Sequence, residues 1–172
     1  IRHVGHRQTR NRGTIGGSLC HLDPSAELVN LTALLGGTLH AASKRGRRDI
    51  PMAEFAAGYM TTSLEPDELL AGIALPVPAR GEGYAFVEFA RRHGDFAIVG
   101  CSALIGLDRN GTVAHASLAL SGLGPVPVRP GHIERALKGE KPAATAFKAA
   151  AAEAAKLDAM ADAYVTQDYR QH

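Results

Sequence analysis

The 172-residue chain reads as an α+β protein built from two unlike parts. Three features carry that reading. Tyr84, Phe86, Glu88, Ala90 and Arg92 recur with the period of two that places them on one face of a strand, with Val87 and Phe89 on the other. Two further apolar runs, Ala97 to Leu107 and Val113 to Leu120, flank Asp108-Arg109-Asn110-Gly111, and Asn-Gly between such runs is a strong hairpin signal. Together these predict a three-stranded antiparallel sheet. The third feature is the Ala-rich stretch Pro142 to Leu157, where Phe147, Ala150, Ala151 and Ala154 keep helical spacing.

The elements follow in order along the chain. Gly13-Thr14-Ile15-Gly16-Gly17-Ser18 reads as a turn-rich loop, because paired glycines reach backbone angles that other residues resist. A helix is expected after it, with Asp23 as N-cap, Pro24 in the first position and Glu27 near the positive end. Leu28, Leu31, Leu34 and Leu35 give it an apolar face up to Gly36-Gly37. Thr38 to Ser43 and Arg48 to Pro51 form a predicted hairpin around the basic turn Lys44 to Arg47. Met52 to Tyr59 is a short helix or turn, and Leu69 to Leu75 a strand. The stiff Pro76-Val77-Pro78, followed by the Gly-rich 79–83, marks a boundary between subdomains. After the sheet come a short helix at His132 to Leu137, the Ala-rich helix with a face suited to close packing, and a last helix capped by Thr166.

Composition removes several classes of function. The apolar share is 45%, but aromatics make only 5%, so small side chains dominate, and no apolar stretch approaches the roughly 20 residues of a membrane span. The net charge of +2 is modest, and the basic clusters at Arg2 to Arg12 and Lys44 to Arg48 lack the interleaved aromatics that stack on bases, which argues against nucleic acid. The basic start has no apolar signal-peptide middle. Cys20 and Cys101 stand alone in sequence, which speaks against a disulfide framework and for a reducing, cytoplasmic setting; Cys20 is expected as a small buried side chain. The eight His are scattered apart from the His3 and His6 pair, so no metal site is expected, since one needs three or four converging ligands. No GxSxG elbow is present, and no catalytic acid, base or nucleophile is assigned. Phe55 and Tyr59 are expected in the core. A start at Ile1 without Met, and a helix opening seven residues before the end, are read as signs of a piece of a longer product.

The residues with most chemistry are Thr14 to Ser18. A Gly-Gly pair lets a backbone approach closely enough for its N–H groups to hold phosphate oxygens, the hydroxyls of Thr14 and Ser18 can donate, and Arg10 and Arg12 bring positive charge. The segment is neither the GxGxxG fingerprint nor a Walker loop.

The full run Arg10 to Leu28, Arg-Asn-Arg-Gly-Thr-Ile-Gly-Gly-Ser-Leu-Cys-His-Leu-Asp-Pro-Ser-Ala-Glu-Leu, resembles the FAD-binding medium subunits of the molybdenum hydroxylases, the carbon monoxide dehydrogenase and xanthine dehydrogenase family. The likeness continues through Phe55, Gly58-Tyr59, Glu68-Leu69-Leu70, Phe86, Arg91-Arg92, Asp95 to Val99, Gly122 and Tyr169-Arg170. It implies that residues 1–78 are the second subdomain of a vanillyl-alcohol-oxidase-type FAD-binding domain. Residues 81–172 would then be the flavoprotein C-terminal domain, three strands with packed helices. It further implies that Thr14, Ile15, Gly16, Gly17 and Ser18 hold the FAD pyrophosphate, Ser18 standing where relatives often have Asn or Asp. Glu27 takes the place of an acidic cofactor contact, Leu70 lines the adenine end and Phe96 lies against the flavin ring. Val87 replaces a Lys found near the cofactor in some relatives. Relatives also carry a first FAD subdomain ahead of this region, with no counterpart before Ile1, so half of the cofactor clasp is expected from elsewhere.

Two functions follow from the resemblance. One is an electron-transfer flavoprotein component, whose FAD receives electrons from an iron–sulfur small subunit served by a molybdenum large subunit and passes them to an external acceptor. The other is a diverged scaffold that binds those partner subunits without FAD.

Overall fold

The computed structural model describes residues 4–172. The chain opens with two short helices, α1 (Arg7–Arg12) and α2 (Ile15–His21), then α3 (Glu27–Leu34). The hairpin β1 (Thr38–Ser43) and β2 (Gly46–Pro51) follows, and a single turn of helix, α4 (Met52–Phe55), leads into a small ribbon of β3 (Ala56–Gly58) and β4 (Thr61–Thr62). Strand β5 (Leu69–Ala74) returns to pair antiparallel with β1, so the first sheet runs β2-β1-β5. Leu39 and Ala41 of β1 and Ile50 of β2 turn inward to Leu19, Leu22, Val29, Met52 and Phe55, and these form the first core. Phe55 is wholly buried as expected, whereas Tyr59 is exposed.

Beyond residue 80 the expected meander is present: β6 (Gly83–Phe89), β7 (Val99–Leu107) and β8 (Val113–Ser121), antiparallel in that order. Its tight turn works as the Asn-Gly signal implies. Gly111 takes φ +75°, and the Asp108 carboxylate accepts from the amides of Asn110 and Thr112 and from the Thr112 hydroxyl. The helices α5 (Gly131–Leu137), α6 (Ala144–Ala154) and α7 (Gln167–Gln171) complete the chain, and Thr166 caps α7 by accepting from Tyr169 N at 3.3 Å.

Helix α3 joins the halves. Leu34 packs with Leu104 and Ala119 of the second sheet, Arg129 donates to the carbonyls of Ala33 and Leu34 at the end of α3, and Gly122 N donates to the Pro24 carbonyl at 3.0 Å.

Besides Tyr59, four further expectations change. Thr14 to Ser18 is not a loop: Thr14 is the N-cap of α2, and residues from Ile15 on are helical. The cap bond and the buried Leu19 outweigh the poor helix propensity of two glycines. The next helix starts at Glu27 rather than Pro24, because Asp23 spends its carboxylate on a local turn to Ser25 N and Gly122 holds the Pro24 carbonyl. The Ala-rich α6 has no buried residue, so its composition reflects helix propensity more than close packing. Cys20 is exposed, because the buried stripe of so short a helix is taken by Leu19.

Arg48 on β2 grips Glu68 with two bonds of 2.8 Å, and Glu68 also accepts from Glu65 N. The Arg48 bond, then the Glu65 amide, pull the Glu68 carboxyl down to about 2. A carboxyl depressed on folding stabilises fully above its unfolded value, about 4.3, and loses that contribution as pH falls toward the folded value. Unfolding midpoints followed from pH 7 to pH 2 are therefore expected to fall more steeply below about 4.5 in the parent than in a Glu68→Gln variant.

Candidate functional site

A cleft of about 340 Å³ opens where four segments meet: the stretch ahead of α1, the start of α2, the start of α3 and the turn between β6 and β7. Both halves of the chain supply its walls. Thr14, Ile15, Ser18 and Glu27 come from the first, Gly94 and Phe96 from the second. Its size is at the low end of the range for ligand pockets, with an apolar lining and a few converging polar groups as such sites have. A larger groove of about 730 Å³ lies between the face of the second sheet and α6 and α7. It is mostly apolar, with its polar groups confined to Tyr169, Arg170, Gln171 and His172 at the end of the chain, and Arg170 is committed to structural bonds.

At the start of α2 the Thr14 Oγ1 accepts from Gly17 N at 2.9 Å, and the Thr14 carbonyl accepts from Ser18 N at 3.0 Å. The amides of Ile15 and Gly16 have no partner among the described residues, as the first turn of any helix dictates. Gly17 leaves room for the cap, since a Cβ there would stand a tight 3.0 Å from Thr14 Oγ1. At Gly16 the nearest obstacle is Leu70, 3.9 Å from an added Cβ. These groups can hold an anionic oxygen at two free amides with the Ser18 hydroxyl near by.

Phe96 is 56% exposed and borders the cleft, offering an aromatic face to a planar ligand. Glu27 is only 7% exposed, and its Oε1 accepts from Gly5 N at 3.1 Å. His6 lies 4.0 Å from Asp95, tying the segment ahead of α1 to the β6–β7 turn. Gly94 permits that closure: its φ is +89°, and a Cβ would collide with the His6 ring at 2.5 Å.

Of the residues singled out in the sequence, Thr14, Ile15, Ser18, Glu27 and Phe96 meet around this cleft. Gly16 and Gly17 lie behind it in α2. Leu70 packs against the first core, outside the cleft wall, and approaches the site only through Gly16. Arg10 faces the cleft but directs Nη1 to the carbonyls of Val4 and Gly5, and Arg12 is not part of the lining. Gly5 and Gly94 escaped sequence reading. Their signal was faint, a lone glycine beside a histidine in each case. Among the described residues no three His, Cys, Asp or Glu side chains gather as a metal site. No helix among them is long and apolar enough to cross a membrane.

Comparison with known proteins identifies the family. Residues 1–78 match the FAD binding domain in molybdopterin dehydrogenase, and residues 84–172 match the CO dehydrogenase flavoprotein C-terminal domain. The chain belongs to the family of FAD-binding medium subunits of the molybdenum hydroxylases. Among curated relatives, it is 41% identical to the caffeine dehydrogenase subunit beta of a Pseudomonas species, over 79% of this chain and 46% of that one. It is 32% identical to the nicotine 6-hydroxylase medium subunit of Paenarthrobacter nicotinovorans, over 98% of this chain and 59% of the relative. Among solved structures, a carbon monoxide dehydrogenase from Hydrogenophaga pseudoflava superposes with a TM-score of 0.91 at 32% identity, over 99% of this chain and 59% of the other. The chain thus spans about half the length of the curated relatives it matches.

Proposed function

We propose that the chain is the part of a flavoprotein subunit that holds FAD by its pyrophosphate, within a molybdenum-dependent oxidoreductase complex. In that complex the bound FAD would supply the electron-transfer chemistry between a partner 2Fe–2S subunit, downstream of a molybdenum subunit, and an external acceptor. The observation that carries the reading is the capped start of α2, with the unpartnered Ile15 amide, the Ser18 hydroxyl and an exposed aromatic ring around one cleft and the unpartnered Gly16 amide next in the same turn. Family membership supports the choice of FAD as the ligand.

In this assignment the amides of Ile15 and Gly16 and the Ser18 hydroxyl hold pyrophosphate oxygens, Thr14 fixes the turn that presents them, and the absence of a side chain on Gly16 and Gly17 keeps the backbone approachable. Phe96 lies along the flavin, and Glu27 and Leu70 support the nucleotide side. When bound, the isoalloxazine supplies the two-electron chemistry, and the protein supplies position and electronic environment. No side chain of the cleft is needed as a proton donor or acceptor in that role.

The test is FAD titration of the chain, alone and together with the partner subunits, followed by the visible flavin absorption that co-elutes with protein. Binding in either form is expected. Thr14→Ala is expected to weaken it about tenfold while lowering folding stability by about 1 kcal/mol, the usual worth of an N-cap. Protein that takes up no flavin in either form would sink the assignment in favour of a scaffold that binds the partner subunits without cofactor.

A further inference from the structure

The stretch ahead of α1 is held by two charged side chains that the pyrophosphate assignment does not use. Glu27, at the first position of α3, accepts from Gly5 N through Oε1 at 3.1 Å. Arg10, on α1, donates through Nη1 to the carbonyls of Val4 at 2.9 Å and Gly5 at 2.7 Å. Gly5 is thus gripped through both of its backbone polar groups, the N–H by an anion and the C=O by a cation, the polarity that makes such bonds strong. Gly5 sits at φ +52°, an angle that costs little for glycine alone. Val4, Gly5, Arg10 and Glu27 all border the cleft. The carboxylate is nearly buried and directed at the backbone, and Arg10 is half-buried, so neither is simply solvated charge.

We propose that Arg10 and Glu27 are positioning residues that clamp the Val4-Gly5 turn and so build one wall of the FAD cleft. The proposal rests on the FAD assignment above and deepens it: Glu27 acts on the cofactor through Gly5. A rigid wall formed before the ligand arrives removes an ordering cost from binding. Glutamine at position 27 keeps an oxygen that can accept the same N–H, whereas alanine does not, and this separates a positioning role from a charge role.

The test measures FAD affinity and hydrogen exchange of the Gly5 amide in the parent chain and in Glu27→Ala, Glu27→Gln, Arg10→Met and Gly5→Ala, with thermal midpoints to show that each variant is folded. Glu27→Ala and Arg10→Met are expected to weaken FAD about tenfold, the scale of one lost charge-assisted bond, and to speed exchange at Gly5. Glu27→Gln is expected to restore most of the affinity and the slow exchange. Gly5→Ala changes no charge, and its Cβ would meet Thr9 only at an ordinary 3.6 Å, so its expected loss of FAD affinity reports the backbone conformation. The proposal is overturned if Glu27→Gln binds as poorly as Glu27→Ala, if Gly5→Ala binds FAD like the parent, or if Gly5 exchange is unchanged in Glu27→Ala. A parent chain that binds no FAD either alone or with the partner subunits overturns the underlying assignment as well, which distinguishes that failure from the failure of the clamp alone.

Discussion

Arg170→Met is expected to destabilise the fold by about 3 kcal/mol, read as a shift in the urea unfolding midpoint at unchanged slope. The side chain is only 5% exposed although it carries a charge. Its Nη1 donates to the Ile98 carbonyl at 2.5 Å and to the Gly122 carbonyl at 2.7 Å, and its Nη2 donates to Asp162. Methionine fills most of the volume but leaves both carbonyls unpaired, and each buried orphan costs about 1–3 kcal/mol. The Asp162 carboxylate is 44% exposed and can turn to water, which keeps the total at the low end for breaking a buried pair. Lysine is expected to recover only part of the loss, since one ammonium cannot reproduce the planar fork that reaches two carbonyls and a carboxylate together. The same knot explains Gly122. At φ +78°, an added Cβ would come within 2.3 Å of the Ile98 oxygen, so Gly122→Ala strikes the carbonyl that Arg170 holds.

Local pattern was legible where it was also the deciding force. The meander β6-β7-β8 could be drawn from alternation and one Asn-Gly pair, because the strands keep a period of two and the chemistry of the short β7–β8 turn lies within a few residues. The cap at Thr166 was visible for the same reason. What could not be drawn was partnership at a distance. Strand β5 completes the first sheet across a gap of some 25 residues from β1, a pairing no local pattern states. The start of α2 was misread because Gly-Gly argues for a turn, while the opposing evidence is one hydroxyl and a leucine that reaches the core. The cleft itself was half legible. Thr14, Ile15 and Ser18 lie within one five-residue segment, but Phe96 and Gly94 join them only because α3 brings the second sheet to the first. Resemblance to the family supplied Phe96, which composition and period did not.

The seam that brings them together turns on Asn30, and Asn30→Ala is expected to cost about 3 kcal/mol, half from lost hydrogen bonds and half from the cavity. The residue is fully buried in α3. Its amide donates to the Ala119 carbonyl on β8 at 3.1 Å and accepts from the Ser102 hydroxyl on β7. Ser102→Ala is expected to cost less, because it leaves the Ala119 bond in place. Asn30→Asp keeps the shape but puts an acceptor where Ala119 needs a donor. A carboxyl buried there has its pKa raised above the unfolded value of about 3.9, so the deficit is expected to be largest near neutral pH and to shrink as pH falls toward 4, where the protonated group can donate again. The consequence reaches the cleft. Thr14, Ile15, Ser18 and Glu27 face Gly94 and Phe96 across this seam, so loosening it widens the site without touching a lining residue. FAD affinity in Asn30→Ala is therefore expected to fall by more than in Ser102→Ala, in the order of their unfolding midpoints. Equal affinity in variants of unequal stability would show that the two halves need not be locked for the cleft to hold its ligand.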